Sequence, residues 1–190
     1  MDIVKKMMQI ACAACFSVLL VSYACASELN DELSAAAKKN DVKKVEDLIF
    51  NGADVESKAG NVGYTPLMFA AYHNAYEAAK VLVERGADVN TQDMTGSTAL
   101  MVASATGSVQ VATFLIEKGA DVNHRDSMGG TALMRASSSG YGKIVRLLLE
   151  HGADAKLVAD NDVTALSLAE SAGYSDTVAI IKKALKDKEF

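Results

Sequence analysis

Cysteine is confined to the front of this 190-residue chain: Cys12, Cys15 and Cys25 are its three cysteines, and residues 27–190 have none. Once the front segment is removed, neither a disulfide framework nor a cysteine-type zinc site is available. Histidine is scarce as well, with only His73, His124 and His151. Tryptophan is absent and proline occurs once, as Pro66. Positive charge is not in excess. The formal net charge is −5, and a mildly acidic chain without a basic stripe is poorly suited to nucleic acid, where phosphate contacts dominate affinity. Beyond residue 27 no stretch resembles a membrane span.

What the chain does have is repetition. Thr65-Pro66-Leu67, Thr98-Ala99-Leu100, Thr131-Ala132-Leu133 and Thr164-Ala165-Leu166 follow one another at intervals of 33 residues. A second phrase keeps step. Gly52-Ala53-Asp54-Val55, Gly86-Ala87-Asp88-Val89, Gly119-Ala120-Asp121-Val122 and Gly152-Ala153-Asp154-Ala155 are spaced 34, 33 and 33 apart. Two phrases locked to one period mean one supersecondary unit copied along a solenoid. The period and both phrases resemble the ankyrin repeat, whose signature runs Thr-Pro-Leu-His-x-Ala and then Gly-Ala-Asp-Val-Asn.

The resemblance implies an all-α ankyrin-repeat solenoid of about five helix-turn-helix units with hairpin or turn fingers between them. The units are read as residues 28–60, 61–94, 95–128, 129–160 and 161–190, the outer two serving as caps. Each helix is too short to be stable alone in water, so stability must come from nearest-neighbour packing along the stack. Within a unit Thr98 is placed to cap the first helix, and Pro66 occupies a first helical position, where its missing N–H does no harm. Gly107 breaks the run. Val111, Phe114, Leu115 and Ile116 then give the apolar stripe of a second helix, and Gly119 ends it. Asp31 takes the threonine position in the first unit, beside Lys38, Lys39 and Asn40. Lys182, Lys183, Lys186 and Lys188 crowd the final helix, where cations suit the C-terminus.

Residues 1–26 read as an address. Lys5 and Lys6 precede an uncharged stretch from Met7 to Ser27 with an apolar centre from Ile10 to Val21, and Ala24-Cys25-Ala26 supplies a small-x-small cleavage pattern. A secretory signal peptide cut after Ala26 is expected. An uncleaved membrane anchor is the alternative, and a lipoprotein signal through Cys25 is disfavoured by Ser22 three residues before it. Removing residues 1–26 takes Lys5, Lys6 and Asp2 away and moves the net charge to −6. The expected location is the bacterial periplasm, with extracellular release or membrane anchoring as alternatives. Residues 27–190 form one domain, long enough for a continuous core.

No catalytic, cofactor or metal site is expected. Ser137, Ser138 and Ser139 have no histidine on their repeat face, and Asp160-Asn161-Asp162 lacks the following glycine and distant glutamate of a calcium loop. Met68, Met101 and Met134 recur where the ankyrin signature has histidine. They are read as seam-filling methionines, with a copper(I)- or oxidant-binding thioether row as the rival.

The resemblance implies a function of holding another protein on a concave surface lined by finger tips and first helices. The finger positions are Val62, Tyr64, Met94, Thr95, Ser97, Ser127, Met128 and Gly130, and the helix positions are Tyr72, His73, Thr106, Ser138 and Ser139. Arg125 and Arg135 lie at its edge as the charged members. Tyr64, Phe69, Tyr72, His73 and Met94 concentrate large side chains around the second and third units, the make-up of a binding hot spot. The finger between Gly52 and Thr65 is one residue longer than the others. The partner is another protein and not nucleic acid, no membrane is involved once the signal is gone, and the chain is expected to be a monomer. An adaptor or stabiliser of a periplasmic enzyme, an immunity protein blocking a toxin, and a secreted effector acting on a host protein all fit this reading.

Overall fold

Each threonine of the repeated phrase stands immediately before a helix. In the computed structural model, which describes residues 27–187, a helix α1 covers residues 27–38 and is followed by α2 (Val42–Phe50). The pattern continues as α3 (Pro66–Tyr72) with α4 (Tyr76–Glu84), and α5 (Ala99–Thr106) with α6 (Val109–Glu117). It closes with α7 (Ala132–Ser138) and α8 (Gly142–Glu150), then α9 (Ala165–Ser171) and α10 (Ser175–Asp187). The expected signal segment and Lys188 lie outside the described residues.

The helices pack in two rows. First helices stack side by side, α3 on α5, α5 on α7 and α7 on α9, while second helices follow as α2, α4, α6, α8 and α10. What lets the first helices approach closely is a column of alanines. Ala37, Ala70, Ala103, Ala136 and Ala169 are spaced 33 residues apart and all are fully buried. Leucines fill the space between rows: Leu67, Leu100 and Leu133 from first helices, and Leu48, Leu82, Leu115 and Leu148 from second helices. Met68, Met101 and Met134 lie in the same buried cluster, so their sulfurs are walled in by packing. Val111, Phe114 and Leu115 are buried as expected, whereas Ile116 is half-buried.

Two features depart from the sequence reading. Thr65 and Thr131 accept a backbone N–H three residues on, from Met68 and Met134, at 3.3 Å. Thr98 makes no such bond, and its hydroxyl oxygen is buried without a partner. Bonds at 3.3 Å are already long for this geometry, so a shift of a few tenths of an ångström takes Thr98 out of reach. The second departure is at Asp31, which lies inside α1 and does not open it, because the helix already runs from residue 27. Leu29, before Asp31 in the same helix, packs against the core.

The loop after each second helix is built around the repeated aspartate. Asp54, Asp88, Asp121 and Asp154 each accept the N–H two residues on, from Glu56, Asn90, Asn123 and Lys156. Asn90 and Asn123 then reach sideways, accepting the N–H of Asp121 and Asp154 and donating to the carbonyls of Gly119 and Gly152. Glu56 holds that position in the first unit and accepts the Asp88 N–H at 2.7 Å. Its other carboxylate oxygen is buried with no partner.

Glycine is required where a tyrosine from the next unit lies over the inter-helix turn. A Cβ on Gly107 would stand 2.6 Å from the Tyr141 ring, and one on Gly140 2.6 Å from Tyr174. Both glycines also hold positive φ, 78° and 72°, which side-chain-bearing residues adopt at a cost.

Candidate functional site: the finger and first-helix face

Successive fingers are joined edge to edge by main-chain hydrogen bonds. The Met94 N–H donates to Val62, Ser127 to Thr95 and Asp160 to Met128, at 3.0, 3.0 and 3.1 Å. Each finger is closed differently. The long first one pairs Ala59 with Tyr64 in an isolated bridge, its extra residue accommodated in the turn at Gly60–Gly63. The next two close through Asp93 N–H to Ser97 and Asp126 N–H to Gly130, both at 2.9 Å. The fourth is a true hairpin of strands β1 (Val158–Ala159) and β2 (Val163–Thr164) around a single 3-10 turn (Asp160–Asp162).

A carboxylate shapes each of the middle fingers from within. Asp93 Oδ1 accepts the N–H groups of Thr95 and Ser97 and the Thr95 hydroxyl, at 2.7, 2.9 and 2.7 Å. Asp126 Oδ1 accepts the N–H groups of Met128 and Gly130 at 2.9 and 2.8 Å, while its Oδ2 takes a 2.7 Å bond from Arg135. The Asp126 side chain is 5% exposed and that of Arg135 44%. Burial opposes the Asp126 charge, but the Arg135 hydrogen bond, the Gly130 and Met128 amides and the Arg135 charge outweigh it and hold the carboxyl below its ordinary range.

A carboxyl held low in the folded state stabilises the fold above its unfolded pKa and loses that contribution as pH falls through its folded value. The unfolding midpoint of the parent should therefore exceed that of Asp126→Asn near neutrality. That gap should shrink once the pH drops below about 4. Thermal melts of both proteins from neutral pH downward would show it, and a gap that stayed constant would discount the charge.

The sequence-selected residues are only partly gathered. Tyr64 and Tyr72 meet Ser97, Met101, Thr106 and Arg135 around a groove of about 60 Å³. Tyr64 is half-buried with its ring edge against Phe69, centroids 5.6 Å apart. Burial and the Asp93 charge raise its hydroxyl pKa against the opposing influence of Arg135. Phe69 is half-buried too, so it supports Tyr64 more than it offers contact. Tyr72 is 50% exposed and tilts against His73 at 5.0 Å. His73 is exposed, and burial and then the charge of Lys38 lower its pKa. Met94 and Met128 are 74% and 63% exposed on consecutive fingers, flanked by the exposed Val62 and Val158. Thr95 is exposed, and Arg125 reaches across to donate to the Val158 carbonyl at 2.8 Å.

The remaining candidates for chemistry have structural duties. His124 Nε2 pairs with the Gly96 carbonyl across fingers, and His151 Nδ1 with that of Leu147. Ser137, Ser138 and Ser139 each donate to a main-chain carbonyl, those of Leu133, Arg135 and Ala105. Sequence reading did not single out Asp93, Asp126 or Lys58. The first two recur at one finger position 33 residues apart, a signal that was present in the register. Lys58 Nζ donates to the Gln92 carbonyl at 2.8 Å just as Arg125 does to that of Val158, each reaching the equivalent residue one finger on.

Comparison with known proteins adds the lineage. A family model for ankyrin repeats (3 copies) matches residues 33–126 and again 124–189. Over 70 residues the chain is 34% identical to neurogenic locus notch homolog protein 2 of Homo sapiens, a stretch that makes up 37% of this chain and 3% of that protein. Over 77 residues it is 34% identical to an ankyrin repeat protein of Rickettsia bellii (strain RML369-C), covering 37% of this chain and 45% of that one. The matches thus span less than half the length of these curated relatives.

Proposed function

The chain belongs to the ankyrin-repeat family, and from that premise we propose that it is a non-enzymatic module of the bacterial periplasm that holds another protein on its finger and first-helix face. Ankyrin repeats are in general protein–protein interaction modules. The observation that carries the reading to this face is the split among the methionines: those in first helices are buried, whereas Met94 and Met128 stand out on adjacent fingers beside the exposed Tyr72. Large flexible or aromatic side chains left in water on one face are the usual anchors of an interface. A contact of standard size, roughly 800 Å² per partner, fits on three or four fingers. The periplasmic part rests on the pattern of residues 1–26. Among the described residues no helix is long and apolar enough to cross a membrane.

The test is to express the full chain with a C-terminal tag, fractionate the cells, and recover complexes from each fraction. A periplasmic product whose mass begins at Ser27 is expected, holding a partner protein. The triple variant Tyr72→Ala, Met94→Ala, Met128→Ala truncates only exposed side chains, so its unfolding midpoint should match the parent's while partner affinity falls at least tenfold, about 1.4 kcal/mol. Equal capture by parent and variant would place the contact elsewhere. A product found only in the cytoplasm would overturn the location, and one in the culture medium would favour a secreted effector.

A further inference from the structure

The charges on this face run against those of the chain as a whole. The protein carries a net charge of −5, yet across helices α3, α5 and α7 the only charged residue is Arg135. In the first three fingers the cations are Lys58 and Arg125, both exposed. At the tips of these fingers, residues 58–64, 92–97 and 125–130, the carboxylates are Asp93 and Asp126, turned inward onto main-chain N–H groups and scarcely meeting solvent. The exposed Asp54, Asp88 and Asp121 stand instead at the start of each finger. Lys58 and Arg125 occupy the same finger position, and each donates to the carbonyl of the equivalent residue one finger on. A carbonyl orients a cation without neutralising it. The finger tips and first helices thus expose cations together with Tyr72, Met94 and Met128. The sign changes only at the fourth finger, where Asp160 and Asp162 are exposed.

We propose that this face is built for an acidic, apolar segment of a partner protein, its Asp or Glu side chains lying over Lys58, Arg125 and Arg135 and its aliphatic or aromatic side chains over Met94, Met128 and Tyr72. The proposal rests on the docking function above and specifies the chemistry of its occupant. Complementary charge of this kind steers encounter and selects partners more than it adds raw affinity. A basic segment laid along the finger tips would meet Lys58 and Arg125 with no exposed carboxylate among the tip residues 58–64, 92–97 and 125–130. The acidic fourth finger sets polarity, because the acidic stretch is favoured over the first three fingers and repelled from the last.

The experiment uses the full chain, immobilised, to select from a display library of random peptides about a dozen residues long. The selection is repeated on Lys58→Glu/Arg125→Glu, which leaves Arg135 and its Asp126 partner in place, and on the Tyr72, Met94, Met128 alanine variant. Peptides rich in Asp or Glu with interleaved apolar residues should be enriched on the parent. Their affinity should drop about tenfold on the charge-reversed variant and weaken as salt is raised. Circular dichroism should show the same helical content in all three proteins. Enrichment of neutral or basic peptides that still require Tyr72 and Met94 would overturn the acidic assignment while the docking face stood. No enriched peptide dependent on Tyr72, Met94 or Met128 would overturn both.

Discussion

Replacing Leu100 with alanine is expected to lower the unfolding free energy by about 3 kcal/mol. Leu100 is fully buried in α5, in the central unit, between the row of first helices and the row of second helices. Its truncation removes the transfer free energy of the lost methyl groups and leaves a cavity. The site cannot close that cavity readily, because α5 is held on both sides by α3 and α7 through Ala70, Ala103 and Ala136. In a solenoid the cost falls on two interfaces at once, since each unit is stabilised by its neighbours. Chemical denaturation followed by circular dichroism would check it. A midpoint shift as small as that of a surface change would mean that the stack relaxes around the gap. The equivalent Leu166 is half-buried in the terminal unit, so Leu166→Ala should cost much less. Comparing the two variants separates loss of packing from loss of the side chain itself.

Asp93→Ala is expected to cost about 2 kcal/mol and to abolish partner binding at the second and third units. The carboxylate oxygen Oδ1 accepts all three donors that define this finger. Without it the Ser97 N–H, in a buried residue, has no acceptor, and a stranded buried donor costs about 1–3 kcal/mol. The Thr95 N–H is better placed to find water, because Thr95 is exposed. Asp93→Asn keeps an oxygen acceptor in place and should retain most of the stability. If the asparagine variant were as unstable as the alanine variant, charge and not acceptor geometry would be what holds the finger. Binding follows because the Asp93 turn sets the position of Met94, which packs over Gly63 of the preceding finger.

Residues that act within one repeat were legible, because local rules govern them. A threonine before an apolar run marks a helix start, and Thr65, Thr131 and Thr164 do accept the expected amide. A glycine after such a run marks its end, and Gly119 adopts the positive φ that this requires. The exposure of Met94 and Met128 and the burial of Met68, Met101 and Met134 followed from register alone. His73 was legible as the end of a helix, but its ring contact with Tyr72 was not. The long first finger was visible as a count, whereas its closure through Ala59 and Tyr64 was not.

By itself the sequence determined the repeating unit, the order of its helices, the apolar stripes and the finger positions, since each is encoded in spacing along one short stretch of chain. Only the tertiary structure decided which side chains from different units meet. Arg135 finds Asp126, Tyr141 covers Gly107, Lys58 and Arg125 reach the next finger, and Thr98 fails to cap. These depend on how neighbouring units are stacked, to within a few tenths of an ångström. The middle fingers turn Asp93 and Asp126 onto their own amides and leave Lys58 and Arg125 outside, so an acidic chain carries exposed cations at its finger tips, which no total of its charges would reveal.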